Sequence, residues 1–440
     1  MRKFATSHGT RRTGGFFQPG PCAVANSAGI SCSTSVPRIS GGPGDMMEIA
    51  ARYRSSPTFV RYSAIEDAET IRKEWDDFIE KETGDVFFTY DWCRVWWRHY
   101  GNRRQPLIYV FRDGGEICGI LPMFRERIRL GPVSTTVVKL MCSDFSPVTV
   151  PFPVRREQLK SVVSLVLDEL RKVVQWDLLY LGAICGRYPD YEDLLEAIRA
   201  YHAEKFSVEA RQVDQQTYYR FQESWERQVE AMGASQRNKA RKVCKEILKR
   251  GMTLESRLAD RENLPSQFDQ FVSLHQAHWQ GKGMPGHFRE WPSAYEYHRE
   301  MASTQLSLGR LRLMEVLLDG KCLGYEYMYH AGDTYLSFLG ARIGIDLGKI
   351  IDFKIIALKE KVRRGLSEGV RWIDSMRGVY EYKTTLGGKL FPVRAIFVSR
   401  EAFLSRAKVA VFRRSAWALD VWYSKIWRRR GAGASRPASA

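Results

Sequence analysis

Apolar and polar positions alternate most regularly along Arg310–Leu318, a run that ends in Asp319-Gly320. That dipeptide tolerates the left-handed backbone of a two-residue hairpin, so tyrosine-rich Lys321–His330, ending near Gly332-Asp333, reads as the partner strand. Thr334–Ala341 makes a third strand. The period then changes. Arg342-Ile343-Gly344-Ile345-Asp346-Leu347-Gly348-Lys349 breaks the β pattern, and Ile350–Ser367 places Ile351, Ile355, Leu358, Val362 and Leu366 at helical spacing. Gly369 stands just past that helix, and Val370–Asp374 reads as the next strand.

The first part of the chain follows a similar order. Pro106–Arg112 and Glu116–Phe124 flank Asp113-Gly114-Gly115, a second hairpin signal, and a helix over Arg156–Lys172 leads to the apolar strand Trp176–Leu181. The pattern reads as two diverged copies of one α/β unit, with a boundary near 210–225, between Val208–Phe221 and the helix that follows. A single such unit behind an unrelated α/β domain fits the same pattern. Trp92, Trp96 and His99 fall at i, i+4 and i+7, which predicts a helix packed into the first unit.

Charge adds two features. Ser235–Arg250 holds seven cations, Arg237, Lys239, Arg241, Lys242, Lys245, Lys249 and Arg250, against one anion, Glu246, around an apolar stripe of Ala240, Val243, Cys244, Ile247 and Leu248. It is an amphipathic helix whose polar face is either a solvated surface or a phosphate contact. The tail Ala402–Arg430 mixes Phe403, Phe412, Trp417, Trp422 and Trp427 with Arg406, Lys408, Arg413, Arg414, Lys425 and Arg428-Arg429-Arg430. Such a helix packs on the protein's own core or lies in an anionic membrane interface.

The formal net charge of the 440-residue chain is +18, which suits an anionic partner: CoA phosphates, nucleic acid or an acidic membrane surface. Its eight cysteines, at 22, 32, 93, 118, 142, 185, 244 and 322, show no CxxC pair, so reduced thiols in a cytoplasmic protein are the simplest reading. No apolar run reaches the roughly 18 residues of a membrane span. Residues 1–50, rich in Gly, Ser, Pro and Arg, read as a disordered leader or, with Met46 or Met47 as the true start, as mis-annotated sequence. His275 and His278 lie three apart with His287 beyond, but no cysteine or carboxylate completes a zinc-ligand spacing. Gly281–Gly286 reads as a connector, a lid or acceptor-binding loop, and Ser143-Asp144-Phe145-Ser146-Pro147 as a turn or a loop reaching a cleft between the units. No GxSxG elbow, P-loop lysine motif or Rossmann glycine triplet is present.

A glycine-bearing loop feeding a helix N-terminus offers unpaired N–H groups and the helix dipole to phosphate, though an ordinary turn has the same composition. Its neighbours carry more information. Phe87-Phe88-Thr89-Tyr90-Asp91-Trp92 with Trp96-Trp97, then Ser235–Arg250, Leu274-His275-Gln276-Ala277-His278-Trp279-Gln280-Gly281-Lys282-Gly283, Leu347-Gly348, Asp374-Ser375-Met376-Arg377-Gly378 and Tyr382-Lys383 follow in order. Together, over residues 85–395, they resemble the GNAT acyltransferase superfamily, specifically the CelD-type branch found with cellulose and exopolysaccharide biosynthesis genes and related to the Fem-type peptidyltransferases. The chain departs from that pattern at Leu347, where the family usually has proline, and at Val379, where it usually has an acid.

The resemblance implies an α/β (α+β) fold of tandem GNAT-like domains, each a mixed, largely antiparallel sheet flanked by helices. Residues 51–215 would form the first domain, 216–400 the acyltransferase domain, 401–430 a basic amphipathic helix and 431–440 a disordered tail. It implies a cytoplasmic N-acyltransferase using acetyl-CoA or another acyl-CoA, without a metal, on an unknown amine in polysaccharide or cell-envelope synthesis. The tail would then contact the inner membrane face. Two alternatives stand beside it: a Fem-type transferase taking an aminoacyl group from tRNA, and a degenerate scaffold of an export or synthase complex. The pantetheine would lie along Tyr335–Ala341, with Leu339 and Gly340 facing the thioester, and Arg342, Gly344, Gly348 and Lys349 meeting phosphates. Asp374 is the first candidate base, unless it only pairs with Arg377, and Glu326 the second. Tyr382 would return a proton to the thiolate, while Trp279, Lys282, Arg377 and Lys383 would hold the acceptor or an anionic group.

Overall fold

The computed structural model describes residues 57–421 except 131–132, 146–147, 202–205, 344–351 and 379–380. The expected leader, Gly344, Gly348, Lys349, Leu347, Val379 and the end of the tail lie outside the described residues.

The chain opens with β1 (Thr58–Tyr62), α1 (Arg72–Thr83) and α2 (Tyr90–Tyr100). Next come β2 (Gln105–Asp113), β3 (Glu116–Leu130), β4 (Val133–Leu140), α3 (Leu159–Val173), β5 (Leu178–Cys185) and α4 (Tyr191–Ala200). β6 (Phe206–Arg220) leads to α5 (Trp225–Glu230), α6 (Ala234–Lys249), β7 (Leu254–Leu258), α7 (Leu264–Gln280), α8 (His287–Glu290) and α9 (Ala294–Ser307). The last stretch holds β8 (Leu311–Leu318), β9 (Lys321–Ala331), β10 (Thr334–Arg342), α10 (Phe353–Ser367), β11 (Trp372–Arg377), α11 (Glu381–Thr385), β12 (Lys389–Arg400) and α12 (Phe403–Val421).

Both hairpins form at their turn residues. Asp319 and Gly320 have φ of 50° and 71°, Gly114 and Gly115 59° and 89°, the sign that Asp and Gly tolerate at low cost. α10 begins where the Asp352 carboxylate accepts the Lys354 N–H.

All twelve strands join one mixed, mostly antiparallel sheet in the order β1-β2-β3-β4-β5-β12-β6-β11-β10-β9-β8-β7. Two strands cross between the halves. β6, which follows the first set of elements, pairs with β11, and β12, which ends the second set, pairs with β5. β6 and β12 also pair with each other along twelve residue pairs, from Lys389↔Tyr218 to Arg400↔Phe206. Neither half therefore completes its sheet with its own last strand.

Helices cover both faces. On one, Ile355, Ile356, Leu358 and Val362 of α10 and Ala240, Val243 and Ile247 of α6 pack with Tyr219, Tyr335 and Ile373. α6 buries only part of its expected stripe, leaving Leu248 80% exposed. On the other, Phe268 and Phe271 of α7 and Tyr297 of α9 pack with Tyr325, Tyr327 and Tyr329. Trp92 and Trp96 of α2 are buried, and the Trp92 ring meets that of Tyr329, 4.9 Å away, so aromatic packing joins the two halves. The tail helix packs on the sheet: Val409 and Phe412 of α12 are buried against Val137, Leu178, Tyr180 and Ala395, and Ser405 donates to Asp177 at 2.8 Å. No described helix is long and apolar enough to cross a membrane.

Candidate functional site

The parallel pairing of β10 with β11 spans three residue pairs, Thr334↔Trp372, Tyr335↔Ile373 and Leu336↔Asp374. Beyond them β10 runs on to Arg342 with β9 as its partner, and its register slips between Ser337 and Leu339. β11 slips against β6 between Asp374 and Arg377, where Met376 takes a left-handed φ of 57°. The two strands thus part after Leu336 and Asp374, and Leu339, Gly340 and Arg342 lie on the stretch of β10 without a β11 partner. Gly324 lets β9 come close there, since a Cβ on it would sit 2.2 Å from the Ala341 carbonyl oxygen. Backbone groups on a strand without a neighbour need other partners. One is supplied from α7: the His275 Nδ1–H donates to the Gly340 carbonyl at 3.0 Å.

Cations gather where β10 ends and α10 begins. Burial, and then the charges of Arg342, Lys239 and Lys282, hold the Lys354 ammonium below its usual range against the opposing pull of Asp352. The His278 imidazole is lowered by burial and then by Lys282, Arg342 and Lys354. Lys239 comes from the basic helix α6 and pairs with Asp352. Lys282 also sits 5.3 Å from the Trp279 ring, and Lys354 4.4 Å from the ring of Tyr382. Four cations from four segments surround one helix N-terminus, whose dipole has the same sign.

Asp374 lies on the α7 face, buried at the point of divergence. Its Oδ2 accepts from Gln216 Nε2 and its Oδ1 from the Met376 N–H at 2.8 Å. Gln216 also donates to the Tyr218 hydroxyl at 3.0 Å, which meets Cys185 Sγ at 3.2 Å. Burial raises the Asp374 carboxyl, while donation from Gln216, Met376 and Tyr218 opposes the shift. In the first half, burial pushes Asp85 up to about 7, with the Asp374 charge adding to the rise.

The loop after β11 is pinned by Lys383, whose ammonium donates to the carbonyls of Ser375 at 2.6 Å, Met376 at 3.2 Å, Gly378 at 3.3 Å and Arg377 at 3.4 Å. Burial lowers Lys383 to about 8. Arg377 pairs with Asp214 at 3.2 Å rather than with Asp374.

Glu326 and Asp374 are not brought together. Successive strand residues face opposite ways, and Glu326 lies under α10, where it accepts from Lys361 at 3.2 Å. Tyr382 packs on that same face. Trp279 and Lys282 do converge with Arg342 on the cation cluster. Three residues absent from the expected site stand beside its members: Gln216 and Tyr218 at Asp374, on the strand ahead of the expected boundary, and Lys354 in the cation cluster, within an ordinary helical period. Among the described residues no group of three His, Cys, Asp or Glu is arranged to hold a metal.

Residues 234–384 match the acetyltransferase (GNAT) domain family. The match takes in the basic helix, the tyrosine strands, the splay and the Lys383 loop. Among solved structures, FemX shares 13% identity with a TM-score of 0.52, covering 74% of this chain and 95% of its own. A conserved protein of unknown function from Bacteroides thetaiotaomicron shares 10%, with a TM-score of 0.49 and coverage of 78% and 100%. A tandem GNAT protein from the clavulanic acid pathway shares 15%, with a TM-score of 0.37 and coverage of 79% and 99%. No curated protein matches the chain. The FemX likeness is one of fold, and the fold here is a mixed α/β one, a large mostly antiparallel sheet flanked by helices, with the GNAT match in its second half.

Proposed function

We propose that this protein is a CoA-dependent N-acyltransferase of the CelD-type branch, with its donor site in the second half. One observation carries the reading: β10 and β11 part beside a cluster formed by Lys239, Lys282, Arg342 and Lys354 at the start of α10. GNAT domains use acyl-CoA, and the residues present suit it. An extended pantetheine amide chain can pair with a strand edge, and its phosphates need cations and a helix N-terminus.

In this reading Leu339 and Gly340 line the thioester, and Asp374 takes the proton that the acceptor amine loses. Gln216 and Tyr218 hold its carboxylate in place. Residues 51–215 form a first GNAT-like domain that supports the second, at 216–400, and the acceptor belongs to polysaccharide or cell-envelope synthesis. The protein works in the cytoplasm.

The test is isothermal titration of the full chain with acetyl-CoA at two salt concentrations, with total tRNA as the comparison ligand. Micromolar acetyl-CoA binding that weakens with salt is expected. Salt-sensitive tRNA binding without acetyl-CoA binding would replace this reading with a Fem-type one, for which the exposed Lys242, Lys245 and Lys249 of α6 offer a cationic face. Silence from both ligands leaves a degenerate scaffold.

A further inference from the structure

His275 is 3% exposed, and its two ring nitrogens have different fates. Nδ1 faces the Gly340 carbonyl, which can only accept, so Nδ1 carries the proton and Nε2 is left with a lone pair. Nε2 is buried without a hydrogen-bond partner among the described residues. So are both nitrogens of His298, a residue 1% exposed. The two imidazoles flank Phe288, each ring 5.5 Å from it, and Phe271, Trp279 and His287 complete the enclosure around His275. Leaving such groups unpaired costs about 1–3 kcal/mol each, so each calls for a partner that the described residues do not supply.

We propose that His275 Nε2 seats the acyl acceptor, receiving a hydrogen bond from an uncharged amine or hydroxyl on the side of the ring turned away from Gly340. The chemical class follows from the surroundings. A bare imidazole nitrogen accepts only, so the ligand must bring an N–H or O–H. One turn along α7 from His275, the cations Lys282, Arg342 and Lys354 act on His278, whereas on the far side of His298 the charge of Glu300 is taken up by His99 at 2.9 Å and by Arg98. An ammonium ion would therefore meet repulsion, whereas a neutral amine or a sugar hydroxyl would not. Burial also holds His275 at about 4 and so keeps it neutral at working pH.

This rests on the acyltransferase reading and supplies its missing half. The amine lone pair attacks the thioester carbonyl carbon, the C–N bond forms and the C–S bond breaks, and the proton released from nitrogen passes by way of Asp374 to the departing thiolate. His275 positions the amine and ends the cycle unchanged.

The test is a long-range 15N-histidine NMR titration of the full-length protein with coenzyme A present, adding ethanolamine or glucosamine at about pH 9, above the range of roughly 7.7–8.0 for an α-amino group, so that a neutral fraction of each amine is present. The His275 signal is assigned by its loss in His275→Gln. The expected result is a protonated Nδ1, a bare Nε2, and movement of the Nε2 shift with at least one amine. A protonated Nε2, or one that neither amine moves, overturns the proposal.

Kinetics give the second arm. His275→Gln, whose amide can still donate to Gly340 and accept from the amine, keeps most of its kcat/KM. His275→Phe, which also gives up the bond to Gly340, loses about 10–100-fold, and His275→Gln binds acetyl-CoA as the parent does. Equal turnover in both variants also overturns it. If the parent itself fails to bind CoA, the acyltransferase reading falls, and the amine-induced shift still decides whether Nε2 seats a ligand.

Discussion

The two halves share the same three-pair parallel contact and fill the space beyond it differently. In the first, Val137–Lys139 pairs with Leu178–Tyr180, as Thr334–Leu336 pairs with Trp372–Asp374 in the second. Past that point the first half is closed by its own chain. The Val150 N–H donates to Ala183 of β5 at 2.8 Å, the Pro153 carbonyl accepts from Ile120 of β3 at 2.9 Å, and Val148, Val150, Phe152 and Val154 are buried between them.

Charge differs in the same sense. Lys139, in register with Tyr180, is buried and paired with Glu126 and Asp144. Arg156, just before α3, is paired with Asp190 and Asp193, whereas the cations before α10 face one another with Asp352 as counter-ion. One backbone plan thus yields one half filled past the splay by its own segment 148–154 and another with a cluster of cations beside it.

The largest effect should come from the register position where Asp374 answers Tyr180. Asp374→Asn should lower acyl transfer about 10²–10⁴-fold while leaving acetyl-CoA affinity unchanged, as expected for loss of a positioned base. Tyr180→Phe should change neither. Thiol release and calorimetry on the two variants would settle it; parent-like turnover by Asp374→Asn would return the residue to a purely loop-holding role.

The seal in the first half gives the next largest effect. Phe152→Ala should cost about 3–5 kcal/mol in denaturant unfolding, as for a buried phenylalanine. It should not create a second CoA site, because the Lys139 and Arg156 charges remain paired. A stoichiometry of two in calorimetry would show that the plug, rather than charge, decides which half binds.

Charge can be tried separately. Arg342→Glu with Lys354→Glu should weaken acetyl-CoA binding about 100-fold at low salt, two charge-assisted contacts at a helix start being worth roughly that. The same reversal at Arg156 and Lys160 should leave binding within twofold. A second-half loss that did not shrink with added salt would point to misfolding rather than lost phosphate contacts.

How much of this could be read from the residues follows from the range of the forces involved. Hairpins at Asp319-Gly320 and Asp113-Gly114-Gly115, the helices α6 and α10 and the strands around them are local, set by turn residues and apolar period, and they stand within a few residues of expectation. The strand exchange is not local. Val208–Phe221 reads only as the element ahead of the boundary, because nothing in its own pattern shows that β12, about 180 residues later, will lie beside it. The site divides the same way. Arg342, Lys282 and Asp374 were visible through motif order, whereas Gln216, Tyr218 and the lone pair of His275 gain meaning only once β6 and α7 are in place. Lys383 shows the converse: a conspicuous cation turns out to hold four carbonyls of its own loop.

The smallest effect is in pH, and its sign should differ between the halves. His275 at about 4 and His298 at about 3 lie below the unfolded imidazole value near 6.5, so the unfolded chain binds more protons through that window. The contribution of these two imidazoles is fully present above about pH 6.5 and is lost as pH falls toward 4, with the raised Asp374 carboxyl opposing them in the same half. Asp85 runs the other way. At about 7 it lies above an unfolded carboxyl, so the folded chain binds more protons, and its contribution improves as pH falls from 7 toward 4. Hydrogen exchange at about pH 7 and about pH 4.5 should therefore show α7 and α9 amides opening more readily at the lower pH while those of α1 and α2, which flank Asp85, gain protection relative to them. Uniform acceleration across both sets would mean that acid weakens the sheet the halves share, through β6 and β12, before it reaches either half alone.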